Sequence, residues 1–346
     1  MNPYDFVPVD WERPPERRPY SPHHVFNGFT GMIKCLMKAE VPVFLPDQQR
    51  GSPKQFLKNK KGEYIIPGSS LKGLFRNLVE TIAPGCWLVY DEEYEKGNVN
   101  YQKNLPSAFY RCRDIGQLCP ACRMFGVING SRVIYRGKVG FDDARCILAE
   151  SHDSIYTIIL STPKPRHSAW YLKNGRVAGR KFYFHQNAIN TAPGWLPRNA
   201  PPDKRQNQYI KPLNAGSIFE FTAYFENLDE EELSLLVYAL FLENGMRHKI
   251  GYAKPAGLGT VHIQPAELFL YHPGDRYRHS APAMVFTGEG LTNLIAKKTA
   301  RFVDDQTSLP LAGLRRIWAW PPQYDRYSYP SKGWFDDHPT ETIANT

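Results

Sequence analysis

The segment that decides the fold spans residues 65–80 and has the sequence IIPGSSLKGLFRNLVE. It predicts the end of a strand, a tight turn and an amphipathic helix. The apolar side chains that recur at helical spacing and form one face are Leu71, Leu74, Phe75 and Leu78. Ser69 or Ser70 is expected to cap the start of this helix.

The start of the same helix is a candidate anion site. Lys72 and Arg76 stand four residues apart and share one flank, close to the free N–H groups and the positive dipole end of the helix. Together with Ser69 and Ser70, they could hold a phosphate. An ordinary capped helix with solvated cations would give the same pattern, so the segment alone leaves both interpretations open.

The bulk composition favours an anionic partner. The chain has 346 residues and a net charge of +9, with a pI of about 9.1, which suits one elaborated domain or two domains that contact nucleic acid or, less readily, an acidic membrane surface. Aromatic residues make up 13% of the chain, and rings beside cations are what stacking on unpaired bases requires.

No continuous apolar run of about 18 residues occurs, and residues 1–18 lack the apolar core of a secretion signal. We therefore expect a cytoplasmic protein without a membrane partner. In that compartment, clustered cysteines indicate a metal site before they indicate disulfides.

The cysteines predict a structural zinc site. Cys119 and Cys122 form a C-x2-C knuckle, and Cys112 precedes them by seven residues. For the fourth ligand, Cys86 is the first choice and Cys146 the second, and a histidine would also serve. A redox pair or unligated thiols remain the alternative.

Two further segments carry cations. Residues 161–186 mix rings with basic side chains, including Arg166, Arg180 and Lys181, which is typical of a surface for single-stranded nucleic acid, although the rings could instead pack on the core. A glycine-rich loop that feeds a strand carries Lys249 and Lys254, and a glycine loop alone is weak evidence for phosphate binding.

The order of predicted elements is βαββαβ with a large insertion. This indicates an α+β fold with an elaborated ferredoxin-like or RRM core. We expect an extended N-terminal arm at 1–27, the core at 28–270 and a C-terminal extension at 271–346. A zinc-knuckle insertion is expected at about 84–126, and a basic aromatic, thumb-like insertion at about 150–215.

Four segments carry a resemblance to a known family. Residues 250–261 (IGYAKPAGLGTV) resemble the signature glycine loop of the RAMP superfamily of CRISPR-associated proteins, and residues 66–73 (IPGSSLKG) resemble its first-helix motif. Residues 119–126 (CPACRMFG) are similar to the zinc-knuckle segment of backbone subunits in type III effectors. Residues 179–186 (GRKFYFHQ) resemble a segment from III-D-like loci.

The resemblance implies an RRM-like backbone subunit that assembles with other RAMP-type subunits along guide RNA, where guide and target RNA pair. A thumb hairpin would displace target bases. The side chains expected to contact RNA are Ser69, Ser70, Lys72, Arg76, Lys249, Lys254, Arg166, Arg180 and Lys181.

In family members that cleave, an aspartate on the loop after the first strand cuts target RNA with Mg²⁺ or Mn²⁺ and the target's own 2′-OH. Asp47 occupies that place here, although its neighbours Gln48 and Gln49 differ from the glycine and histidine common in cleaving members.

Two alternatives stay open. A guide-processing endoribonuclease would use His23, His24 or His185 as its base, and a non-cleaving structural subunit would cap the assembly through its Pro- and Trp-rich ends.

Overall fold

The computed structural model of the chain describes residues 2–22, 24–47, 51–87, 102–129, 133–158, 160, 167–187, 189, 208–271, 284–330 and 332–343. The strands of this part of the chain are β1 Tyr4–Val7, β2 Phe29–Ala39, β3 Ile65–Ile66, β4 Gly126–Asn129, β5 Val133–Arg136, β6 Val139–Phe141, β7 Ala144–Leu148, β8 Ile155–Tyr156, β9 Leu172–Lys173, β10 Arg176–Val177, β11 Arg180–Tyr183, β12 Tyr209–Ile210, β13 Ile218–Leu228, β14 His248–Lys249, β15 Thr260–Tyr271 and β16 Met284–Phe286.

The α-helices of the same residues are α1 Gly68–Ile82, α2 Pro120–Phe125, α3 Ser168–Tyr171, α4 Glu230–Phe241, α5 Gly288–Val303, α6 Leu309–Ile317 and α7 Lys332–Asp337. Short 3-10 helices cover Gln102–Asn104, Ser107–Phe109 and Lys254–Ala256. The chain is therefore a mixed α+β protein, as the sequence predicts.

The core is one antiparallel sheet in the order β14-β15-β2-β13-β7-β3, with β16 added beside β15 and β6 beside β13. The long strands β2, β13 and β15 form its centre. Because β2 pairs with β13 and β15, both from the second half of the chain, the sheet forms only when segments distant in the sequence come together.

The central strand β2 has one buried and one open face. The side chains of one alternation are buried: Ile33, Cys35, Met37 and Ala39. Those of the other alternation are exposed: Lys34, Leu36 and Lys38. One face of the sheet is therefore packed in the core and the other is open among the described residues.

Helix α1 packs its predicted apolar face onto that covered side. Leu71, Phe75 and Leu78 are completely buried. The Phe75 ring stacks on Phe141 and Phe221, with ring centroids 5.0 and 6.3 Å apart. The helical spacing in residues 65–80 therefore identifies the element that seals the core.

The cap of α1 differs from the prediction. The helix begins at Gly68 after Pro67, and no serine side chain caps it. Instead, the Asp143 Oδ1 atom accepts a 2.8 Å hydrogen bond from the Gly68 N–H. A Cβ at residue 68 would lie 2.3 Å from the Phe141 carbonyl oxygen, so this close approach to β6 requires glycine. Because the start of α1 lies against the end of β6, the capping carboxylate is that of Asp143, which follows β6 in the chain.

Helix α4 begins with a complete capping box, in which Asp229 accepts from the Glu232 N–H and the Glu232 carboxylate accepts from the Asp229 N–H. Helix α5 then packs on α4, where its Phe302 contacts Tyr238 at a centroid distance of 4.7 Å. Helix α6 packs instead on β1, α1 and β11.

The N-terminal arm joins the predicted basic insertion. Strand β1 pairs antiparallel with β11, so Val7 lies opposite Arg180 and Phe6 opposite Lys181. Within the basic segment, residues 172–177 form a hairpin: β9 pairs with β10, and Asn174 and Gly175 both have positive φ. In the part of the chain that the structure describes, every helix is too short or too polar to cross a bilayer.

Candidate metal centre and nucleic-acid interface

Four buried cysteines converge on one point. The Sγ atoms of Cys86, Cys112, Cys119 and Cys122 all lie within 4.8 Å of one another, and those of Cys86 and Cys122 are 3.6 Å apart. Tetrahedral zinc with Zn–S bonds of ~2.3 Å would separate its sulfurs by about 3.8 Å, so the cluster is compatible with a structural metal such as zinc. Cys119 and Cys122 belong to the first turn of α2, which sets their spacing.

Cys146, the second choice for the fourth metal ligand, lies outside the cysteine cluster. The Cys146 thiol donates to the Leu148 carbonyl on β7, 3.2 Å away, and is not part of the cluster. Hydrogen bonds from neighbouring thiols lower the pKa of Cys119, first among them the bond from Cys112. Cys119 is therefore the thiol that most readily becomes the thiolate a metal needs.

Arginines surround these sulfurs. Arg17 donates to Cys112 Sγ at 3.0 Å and Arg76 to Cys122 Sγ at 3.4 Å. Four thiolates around a divalent ion carry excess negative charge, which guanidinium groups offset. Arg17 comes from the N-terminal arm, and no spacing in the sequence points to it.

Arg76 and Arg180 share a buried carboxylate. Glu80 accepts from Arg76 at 2.8 Å and from Arg180 at 3.1 Å, and all three side chains are largely buried. Arg180 also donates to the carbonyls of Gly85 and Cys86 and lies over the Trp87 ring. The prediction that these two arginines contact RNA phosphates therefore finds no support here, since they hold the segment that carries Cys86.

A second buried ion group fixes the knuckle to the core. Arg123 of α2 donates to Glu232 at 3.0 Å, and Lys138 donates to the other oxygen of the same carboxylate. Both cations are almost fully buried. The helix that carries Cys122 is in this way attached to the start of α4.

The glycines of the loop at residues 250–261 allow its backbone to pack closely on neighbouring backbone. Gly251 and Gly259 have positive φ, and a Cβ on them would lie 2.5 Å from the Phe44 oxygen and 1.8 Å from the Ile250 oxygen. Lys249 is buried beneath the loop and donates weakly to Gly257 O and Thr260 Oγ1, at 3.4 and 3.3 Å. Burial, then Lys254, lowers the pKa of Lys249 to about 7. In this structure the Lys249 amine therefore faces the backbone of its own loop, and its predicted contact with RNA stays a prediction.

Lys181 and Lys254 form a separate cationic pair. Their Nζ atoms lie 4.9 and 5.9 Å from the centre of the same Tyr183 ring, and the Lys181 amine also lies 3.6 Å from the centre of the Tyr4 ring. Neither amine has a carboxylate partner among the described residues, although Lys254 Nζ donates to the Gly251 carbonyl at 2.7 Å. Burial of its inner part, then Lys254, lowers the pKa of Lys181 to about 8, although the side chain reaches the surface.

The start of α1 holds another set of predicted residues. Ser69 is exposed and Ser70 half-buried, and burial, then Arg76 and Arg136, lowers the pKa of Lys72. The charged neighbours of Lys72 differ from those of Lys254. The two predicted cationic turns therefore belong to distinct charge clusters.

Asp47, the predicted catalytic residue, has few contacts that would form a metal site among the described residues. Asp47 is half-buried, and its N–H donates to the Gln55 carbonyl at 3.0 Å. Among the described residues it joins no group of three or more metal-type ligands. Gln48, Gln49, His23 and Arg166 lie outside the described residues.

The histidines of the endoribonuclease alternative have different surroundings. His185 is completely buried, and its ring nitrogens pair with Thr260 Oγ1 and the Arg247 carbonyl. Burial, then Lys249, keeps the pKa of His185 well below its usual value. His24, in contrast, is exposed.

A family model described as the RAMP superfamily matches residues 49–262, a segment with α1, the four clustered cysteines, Lys181 and Lys254. No curated protein matches the chain. Because the matched segment covers more than half of its length, the chain belongs to the RAMP superfamily of CRISPR-associated, RNA-binding proteins.

Proposed function

We propose that this chain is a guide-RNA-binding backbone subunit of a type III, III-D-like, CRISPR effector. The observation that carries the proposal is the Lys181–Lys254 pair, two lysines beside tyrosine rings without a carboxylate partner among the described residues. An RRM-like core is supported by the central strand order β15-β2-β13-β7, with α1 and α4 on one face. Pairing with target RNA would then be directed by the guide.

Phosphate is the ligand that this pair fits. Burial lowers the pKa values of both amines, and the charge of Lys254 lowers that of Lys181 further. A phosphodiester between them would restore the charged form, and Tyr4 or Tyr183 could pack against the sugar or base. Since such contacts carry no sequence information, base pairing would supply the specificity.

The test measures binding of single-stranded RNA while the salt concentration is varied. Lys181→Glu should weaken binding strongly and reduce the salt slope, because it removes a phosphate contact and adds a repulsive charge. Lys297→Glu on the exposed face of α5 changes the net charge equally and should have only a small effect. If the two variants lost RNA affinity equally, the change in net charge alone would explain the loss, and Lys181 would not be assigned to the RNA site.

We further propose that the four cysteines bind zinc. The ion would link the segment that carries Cys86 to the knuckle in α2, so its role would be structural. Metal analysis of the purified chain should find zinc that Cys86→Ser abolishes and Cys146→Ser leaves in place. A chain that contains no zinc but is correctly folded would contradict the assignment.

Cleavage of target RNA is a separate proposal that rests on Asp47. The described residues around it do not by themselves form a site for Mg²⁺ or Mn²⁺. The experiment is reconstitution with guide and labelled target, in which wild type is compared with Asp47→Ala.

A further inference from the structure

The open face of the main sheet carries a groove of about 400 Å³ over β2, β13 and β15. Its central cross-strand neighbours are Leu36 opposite Glu220 and Lys34 opposite Thr222. Sheets that read RNA place aromatic rings on the two central strands to stack on bases. These four positions carry none, and an exposed ring further along β13, that of Tyr224, has its hydroxyl bonded to the Asp142 carboxylate at 2.7 Å.

The charges in the groove also disfavour RNA. Lys34 pairs with Glu267 and Arg145 with Glu220, each at 2.7 Å. Two more carboxylates line it, those of Asp142 and Asp143, the second of which caps α1. The groove thus has four carboxylates and two cations in a chain whose net charge is +9, so a polyanion would be repelled.

Apolar side chains border these charges. Leu36 is 39% exposed and Leu148 is 47% exposed, and both stand on the open face. A surface that combines exposed leucines with excess carboxylate suits a protein segment with apolar and basic side chains.

The chain itself presents such a segment. In the hairpin of β4 and β5, Ile128 lies opposite Ile134, and these side chains are 73% and 64% exposed. Arg136 follows two residues later on the same face, is exposed, and has no carboxylate partner among the described residues. The opposite face of the hairpin is packed in the core through Val127, Val133 and Tyr135, so the isoleucine pair is held in place on the surface.

We infer that the β4–β5 hairpin of one copy docks into the sheet groove of a second copy, with the isoleucines on the leucines and Arg136 among the carboxylates. The hairpin and the groove are different patches, so the contact is head-to-tail and can continue along a row of copies. This inference rests on the proposed function, in which copies line one guide RNA, and it assigns the surfaces that join them.

The test uses the full chain with a photoreactive p-benzoylphenylalanine in place of Leu36, mixed with isotopically labelled wild type, with and without guide-length RNA. Cross-links should map to the hairpin of the labelled copy. The same group in place of Val285, exposed on β16, is the position control. An Ile128→Ser/Ile134→Ser labelled partner should lose the cross-link, while its affinity for an RNA too short to hold two copies stays unchanged because no charge is altered.

Absence of intermolecular cross-links in both conditions, or their survival with the serine partner, would overturn the inference. Cross-links to RNA would instead make the groove an RNA surface. Failure of the proposed function is distinguishable, because it would appear as unchanged RNA binding in Lys181→Glu, whatever the cross-linking result. Circular dichroism of each variant excludes misfolding as the cause.

Discussion

Alanine substitutions at Arg180 and at Lys181 should give opposite phenotypes, although the two residues are adjacent on β11. Neighbouring strand residues point to opposite sides, and here Arg180 points toward Glu80 and the cysteines while Lys181 reaches the surface. The pair therefore separates the structural cations of this chain from those proposed to bind RNA.

The loss of unfolding free energy in Arg180→Ala is set by the buried groups that lose the guanidinium as their partner. The side chains of Arg180 and Glu80 are only 10% and 9% exposed, and removal of the arginine also strips the carbonyls of Gly85 and Cys86 of a donor. Breaking a buried ion pair from one side costs about 3–5 kcal/mol of unfolding free energy. Because Glu80 keeps Arg76, we expect the lower end, about 3 kcal/mol.

Lys181→Ala should leave stability nearly intact. The lysine has no ion pair among the described residues, and its contacts with the Tyr4 and Tyr183 rings are worth about 1 kcal/mol at most at an exposed site. Loss of one phosphate contact should instead lower the salt slope of RNA binding by about one unit.

The assay combines denaturant unfolding of the metal-loaded chain with RNA titrations at several salt concentrations, under conditions where each variant is folded. Arg176→Ala is the matched control, since Arg176 is an exposed arginine of the same region with a 3.5 Å contact to Glu12. If Arg180→Ala kept full stability and reduced the salt slope as Lys181→Ala does, the assignment of Arg180 to the metal region would be refuted.

Three further predictions concern the metal, pH and cleavage. Cys86→Ser should destabilise the chain and make its stability independent of added chelator, whereas Cys146→Ser should retain the response of wild type. RNA affinity should fall as the pH rises from about 7 to 9, because the pKa of Lys181 is lowered to about 8 and the free amine loses its charge there; Lys181→Met should flatten this profile. In a reconstituted complex, Asp47→Ala should abolish target cleavage without loss of guide binding, and unchanged cut positions would remove the catalytic role.

The sequence predicts this fold where the information is local. Helix α1 follows from helical spacing, the β9–β10 hairpin from Asn174-Gly175, and the first turn of α2 from the C-x2-C knuckle. Each of these signals lies within a few residues of the structure that it specifies. No spacing rule distinguishes Cys86 from Cys146 as the fourth ligand, and only the fold places the Cys86 thiol beside the other three thiols of the cluster.

The serine cap predicted for α1 is wrong because the observed partner is distant in the chain. Asp143 caps α1 from 75 residues away, and Arg17 reaches Cys112 across 95 residues. The sequence predicts that Arg76 and Lys249 contact RNA, and it does not show the carboxylate and carbonyl groups that these side chains meet in the fold. Whether a cation is paired is decided by which distant carboxylate or carbonyl the tertiary structure brings to it, and periodicity does not contain that information.

The positive charge of this chain consequently divides into two kinds. Arg76, Arg123, Lys138 and Arg180 are buried against carboxylates, so the charge that they contribute to the sequence total is not available to RNA. Lys181 and Lys254 lie beside the Tyr183 ring without a carboxylate partner among the described residues, and burial lowers the pKa of both, a cost that a phosphate would offset. In this chain cations without a carboxylate partner beside aromatic rings, rather than a high local count of arginines, mark the proposed RNA site. The same reasoning assigns the carboxylate-rich sheet groove to protein, because there each cation is already paired and the excess charge has the opposite sign.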